Sequence, residues 1–162
     1  MDSNIRSLPS DISILLLRIG ISVLMLHHGL EKLDDPAGFS EFVVGKYFGF
    51  LPFGPLFWTY FAAFTQLLCP IGLALGVLTR PCALGLAMTM LFALIFHGLD
   101  TGLEGFPLAV VPDHNYAFEM AGVYFMCFVY FLSSGAGRFS LYTLIRKKAP
   151  STEITLDIDT LL

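Results

Sequence analysis

Charge is scarce in this chain. Only 14% of its 162 residues are Asp, Glu, Lys or Arg, against about 25% in soluble domains, and that shortage excludes an ordinary water-soluble fold. Basic runs are short, so nothing resembles a nucleic-acid-binding face, and no nucleic-acid partner is expected. Cysteine is sparse too: Cys69, Cys82 and Cys127 form neither a C-x-x-C motif nor an even-numbered framework, which excludes a disulfide scaffold. All three are expected to pack as small apolar residues. Nor is a cleavable leader expected: the first apolar run is too long and contains Arg18, His27 and His28, so it reads as a retained helix. What the chain has in quantity is apolar surface, with 56% hydrophobic residues and sixteen phenylalanines and a mean hydropathy of +0.74.

That surface is distributed in segments long enough to cross a bilayer, which takes about 20 apolar residues in a helix. Four are expected, at residues 11–33, 55–78, 81–99 and 115–134. The fold class is therefore all-α, an antiparallel four-helix transmembrane bundle. The tight turn from Gly76 to Pro81 makes the second and third helices neighbours. Between the first two spans, Phe39, Phe42, Val43, Lys46, Tyr47 and Phe50 recur at helical spacing, as in an amphipathic helix lying in the membrane interface. Residues 1–148 form a single membrane domain, and the acidic stretch 149–162 is expected to be a mobile cytoplasmic tail. Arg6, Arg18, Arg80, Arg138, Arg146, Lys147 and Lys148 fall on the side of the termini, and Lys32 and Lys46 on the other. This asymmetry places both termini in the cytoplasm and the protein in the plasma membrane.

Polar residues inside such helices are costly and mark function or packing. In the expected topology His27, His28, Glu31, Lys32, His97 and Glu119 all fall in the outer half, with Gln66 nearer the middle. At about 100° per residue, Arg18, Ser22, Gly29 and Lys32 share a stripe on the first helix, His28 lies at its edge and His27 points away. Hence His28 and Lys32 are expected to face inward and His27 to sit at the interface. Gly29 would let a neighbouring helix or a ligand approach closely. Pro70 removes a backbone donor and bends the second helix beside Gln66. Glu119 competes between two readings, a buried proton-exchanging acid and a simple helix-dipole partner. Arg18 and Arg80 are assigned orienting or structural roles. No metal ligands are assigned, and haem asks for more room than a bundle of this size offers, so both rank below a quinone ring or small anion held by His28, Lys32, Gln66 and His97 between aromatic walls.

Several short motifs then come into line. R-x-G at Arg18 and Gly20, H-G-x-x-K at His28, Gly29 and Lys32, G-L-x-x-G-x-x-T-R from Gly72 to Arg80, Glu119 with Ala121, and G-A-G-x-x-S-L from Gly135 to Leu141 resemble the DoxX family of four-helix membrane proteins. Gln66 departs from the acid that the family often carries nearby. The resemblance implies a small integral membrane protein. Some relatives serve as the membrane subunit of a thiosulfate:quinone oxidoreductase, and others are linked to thiol and oxidative-stress enzymes. The expected function is a membrane-embedded subunit of a redox assembly, with a protein partner or homo-oligomer, binding a quinone or a small sulfur-containing substrate. His28 and Glu119 would be catalytic, and Lys32, Gln66 and His97 would bind. A small-solute transporter and a non-catalytic scaffold are the rivals.

Overall fold

The computed structural model describes residues 8–103, 105–108, 110 and 115–148. The acidic stretch at 149–162 lies outside them. Every regular element among the described residues is helical. The first, α1 (Leu8–Asp34), buries Asp11, Ile14, Arg18, Ile21, Ser22, Met25 and Gly29, one stripe with a spacing of three or four. Its opposite face exposes Leu16, Leu17, Val23, Leu24 and Leu30. A helix in water would have its polar face outside and its apolar face inside. Here Asp11, Arg18 and Ser22 are inside and aliphatic side chains cover the outside, the arrangement suited to lipid. Among the described residues, three helices are long and apolar enough to cross a membrane: Leu8–Asp34, Pro55–Leu75 and Thr79–Asp100.

The expected interfacial helix is a helical stretch at 36–48, here α2. It begins with Pro36–Phe39, widens to a π-type turn over Ser40–Gly45 and closes with Lys46–Phe48. Asp35 caps it by accepting a bond from the Gly38 N–H at 2.9 Å. Rather than lying free on the surface, α2 buries Val44 and Phe48 and packs on α3 (Pro55–Leu75). Helix α3 opens on a first-turn proline and continues through the buried Pro70. It stops at Leu75, three residues earlier than expected, because Gly76 turns left-handed at φ 71°. Its N–H and that of Val77 then reach back to Leu73 and Gly72, satisfying carbonyls the helix end would orphan. After the second left-handed residue, Leu78, α4 (Thr79–Asp100) begins with Pro81 still in its first turn, where no N–H is needed.

Helix α5 (Glu119–Ser134) has 16 residues and starts four positions later than expected. A short α6 (Leu141–Lys148) follows. Helix α1 packs on α3, α4 packs on α5, and α3 packs on α4. Met25, Leu73, Leu86, Phe128 and Phe131 are fully buried where these pairs meet. The 2%-exposed Arg18 fastens the segment after α5 to α1, donating from Nη1 to the Ala136 carbonyl and from Nη2 to the Phe139 carbonyl at 2.6 Å. Arg138 adds a 3.4 Å contact to buried Asp11.

Candidate functional site

The two packed pairs, α1 with α3 and α4 with α5, leave a cavity of about 640 Å³ between them. Helix α2 forms part of its wall through Phe39, Val43, Val44 and Phe48. Trp58 and Phe61 from α3, Phe92 and Phe96 from α4, and Met120 and Tyr124 from α5 supply more of the lining. The walls are thus mostly aromatic or aliphatic. His28, Lys32, Gln66, Thr89 and His97 supply polar groups. A large apolar pocket with a few converging polar groups is the usual form of a small-molecule site.

Helix α1 carries His28 and Lys32 one turn apart, on the same face. The Lys32 ammonium donates to the His28 carbonyl at 3.0 Å and lies 4.8 Å from the Phe39 ring centroid. One of its three protons is therefore used within the helix, and the aromatic face favours the cation. The His28 ring meets the buried Tyr124 ring edge-on at 5.5 Å. Its Nδ1 is 3.4 Å from the exposed Glu31 carboxylate, which favours an Nδ1–H and directs Nε2 elsewhere. His27 is exposed, as its angle around α1 requires, with its ring 3.9 Å from that of His28. Ligand atoms of His27, His28 and Glu31 lie within 4.8 Å of one another. Sequence reading assigned no metal ligands there, although His28-x-x-Glu31 is a one-turn spacing that signals the grouping.

Gln66 projects from α3, only 2% exposed, and its Oε1 has no hydrogen-bond partner among the described residues. An unsatisfied buried amide oxygen costs about 1–3 kcal/mol, so a donor brought into the cavity would find an acceptor ready. Pro70 lies one turn further along and is buried outside the lining. His97 lies on the cavity wall near the end of α4, with its ring edge-on to Phe96 at 5.0 Å. The structure therefore brings His28, Lys32, Gln66 and His97 to one cavity. Glu119 stands outside that lining: it is exposed, and its carboxylate accepts from the Tyr116 N–H at 3.2 Å. The late start of α5 explains this, since Glu119 sits at the first position of the helix rather than a turn inside.

Gly29 is a packing contact. A Cβ there would lie 2.8 Å from Leu67 Cγ and 3.0 Å from the Ala63 carbonyl oxygen, so the approach it permits is that of α3. Arg18 and the half-buried Arg80 lie away from the lining. Sequence reading missed Thr89 and Tyr124 on the wall, and it missed a clasp beside it. The Tyr47 hydroxyl donates to the Asp100 carboxylate, and Lys46 Nζ lies 3.7 Å from the same oxygen. The exposed Lys46 ammonium is held above its ordinary range by Tyr47 and, less strongly, by Asp100.

The DoxX family profile matches residues 13–98, more than half of the chain. The chain belongs to the DoxX family. The stretch shared with DoxX contains Arg18, His28, Lys32, Gln66, Pro70, Arg80 and His97, but not Glu119. An uncharacterized protein of Haemophilus influenzae is 29% identical over 153 residues, covering 93% of this chain and 94% of its own length. No solved structure matches. The DoxX assignment and the three apolar helices together make this a membrane protein of the lipid bilayer.

Proposed function

We propose that this protein is the membrane-embedded subunit of a redox assembly, binding a quinone or a small sulfur-containing substrate in the cavity. The observation that carries the reading is the composition of that cavity, with aromatic and aliphatic walls and the side chains of His28, Lys32, Gln66 and His97 on one lining. A quinone head group is a flat apolar ring with two carbonyl acceptors, and these residues fit it. The aromatic walls cover the ring, Lys32 offers N–H donors to a carbonyl oxygen, and His28 offers its Nε2–H when the ring is protonated at both nitrogens. When bound, such a group accepts two electrons and two protons. His28 would supply a proton at the cavity wall, and the exposed Glu119, next to the lining residue Met120, would exchange protons with water.

In this reading α1, α3, α4 and α5 cross the plasma membrane as an antiparallel four-helix bundle with cytoplasmic termini, and a partner protein or a second copy completes the assembly. Quinone-analogue binding to the purified protein tests the site. A charge-assisted hydrogen bond is worth about 1.5–3 kcal/mol, so His28→Ala and Lys32→Met should each weaken binding about ten- to a hundredfold. Unchanged affinity in both variants, each folded and inserted, would sink the proposal. A second reading, a small-solute carrier, rests on the unpartnered Gln66 Oε1 one turn from Pro70. Solute flux into liposomes containing this protein alone would favour it.

A further inference from the structure

Cys69 on α3 and Cys82 on α4 stand on the two packed helices joined by the hairpin that Gly76 and Leu78 turn. Both are half-buried free thiols. Two glycines shape their surroundings. A Cβ at Gly72 would come within 2.7 Å of Cys82 Sγ, so the missing side chain makes the space that this sulfur occupies. A Cβ at Gly85 would stand 3.6 Å from Cys69 Sγ, and Gly85 itself lines the cavity. Cys69 is not itself on the lining, and its sulfur packs against Gly85, which is. Gln66, one turn before Cys69 on the same face of α3, is also on that wall. Cys127 is on another helix, α5, and like Cys69 it packs against the core.

We propose that Cys69 and Cys82 are a redox-active dithiol that reduces the quinone held in the cavity. This rests on the quinone reading of the cavity and names the electron donor for it. Two S–H bonds break and one S–S bond forms, and the pair loses two electrons and two protons. The quinone gains both and leaves as the quinol. A low-molecular-weight dithiol then reopens the disulfide by thiol–disulfide exchange and resets the pair. The bond would join two helices already adjacent, and each sulfur already packs against a glycine of the opposite helix, Cys82 against Gly72 and Cys69 against Gly85.

The test uses the full-length reduced protein in nanodiscs without oxygen, with decylubiquinone as the acceptor. Trp58, the single tryptophan of the chain, lines the cavity, so quenching of its fluorescence reports occupancy independently of chemistry. Free thiols are counted by maleimide mass labelling. The expected result is saturable quenching, a fall from three free thiols to one, a Cys69–Cys82 linkage in the peptide map, and one quinol formed per disulfide. Cys127→Ser should retain the reaction, and Cys69→Ser and Cys82→Ser should each lose it while still quenching. Quenching with all thiols left reduced would overturn the dithiol and leave the cavity reading standing. Absence of both quenching and thiol loss would overturn the two together. Thiol loss without saturation, or equal loss at Cys127, would mark oxidation unrelated to the cavity and also overturn the proposal.

Discussion

Two glycines on α1 separate packing from helix propensity. Around Gly20 nothing lies within 4 Å of an added Cβ, whereas at Gly29 the same atom would be 3.0 Å from the backbone oxygen of Ala63. A side chain could swing away, but that carbonyl belongs to the packed helix α3 and moves only with it. Overpacking of this kind costs about 1–3 kcal/mol, while an alanine at an open helical position is neutral or stabilising. Gly29→Ala should therefore lower the melting temperature of the detergent-solubilised protein, and Gly20→Ala should leave it unchanged or raise it. Equal shifts in both would show that the α1–α3 contact at Gly29 is looser than described. The close approach at Gly29 was legible in the sequence because it follows from angle alone, as did the division between inward His28 and outward His27. The environment of Glu119 was not legible in the same way. A four-residue error in the start of α5 moves that side chain from the second turn to the first position, where it is exposed and accepts from the Tyr116 N–H.

At the scale of elements, α2 was visible as an amphipathic stripe, but its role as a cavity wall was not. A period of 3.6 tells which face is apolar and leaves open what that face covers. The same limit hid the clasp, since Tyr47 and Asp100 are 53 positions apart in the chain and no local pattern links them. With Lys46 the clasp ties the closing turn of α2 to the end of α4. Both charged groups, Lys46 and Asp100, are exposed and screened, so the clasp contributes little to global stability. Its effect is local, on how readily the α2 wall moves. Asp100→Asn removes the charge that both Lys46 and Tyr47 address, and Tyr47→Phe removes one hydrogen bond. Each should leave the melting temperature almost unchanged while raising the acrylamide quenching constant of Trp58 in the cavity, with Asp100→Asn the larger of the two. An unchanged quenching constant in both variants would mean that ligands enter elsewhere than along α2.

For the whole molecule, the decisive contacts join α1 to the neighbourhood of α5 at two levels. Near the start of α1, Arg18 holds the carbonyls of Ala136 and Phe139, and Asp11 meets Arg138. Near its end, the His28 ring packs edge-on against Tyr124. The order along α5 is thus reversed relative to α1, which supports a crossing by Glu119–Ser134 even though its 16 residues span only about 24 Å at 1.5 Å each. The shortfall against a hydrocarbon core of about 30 Å is of a size that local thinning of the bilayer absorbs. In the proposed topology four crossings would put both termini on one side together with seven of the nine basic residues, and the positive-inside rule would make that side the cytoplasmic one. Expressed in a bacterium, a fluorescent-protein fusion after Lys148 should glow, and an alkaline phosphatase fusion at the same point should be inactive. Phosphatase placed after Leu103 should be active. Active phosphatase after Lys148 would mean three crossings, with Glu119–Ser134 lying along the surface. Tyr124 and Ala121 could not then stand opposite His28, and the cavity on which the functional reading rests would lose one of its walls.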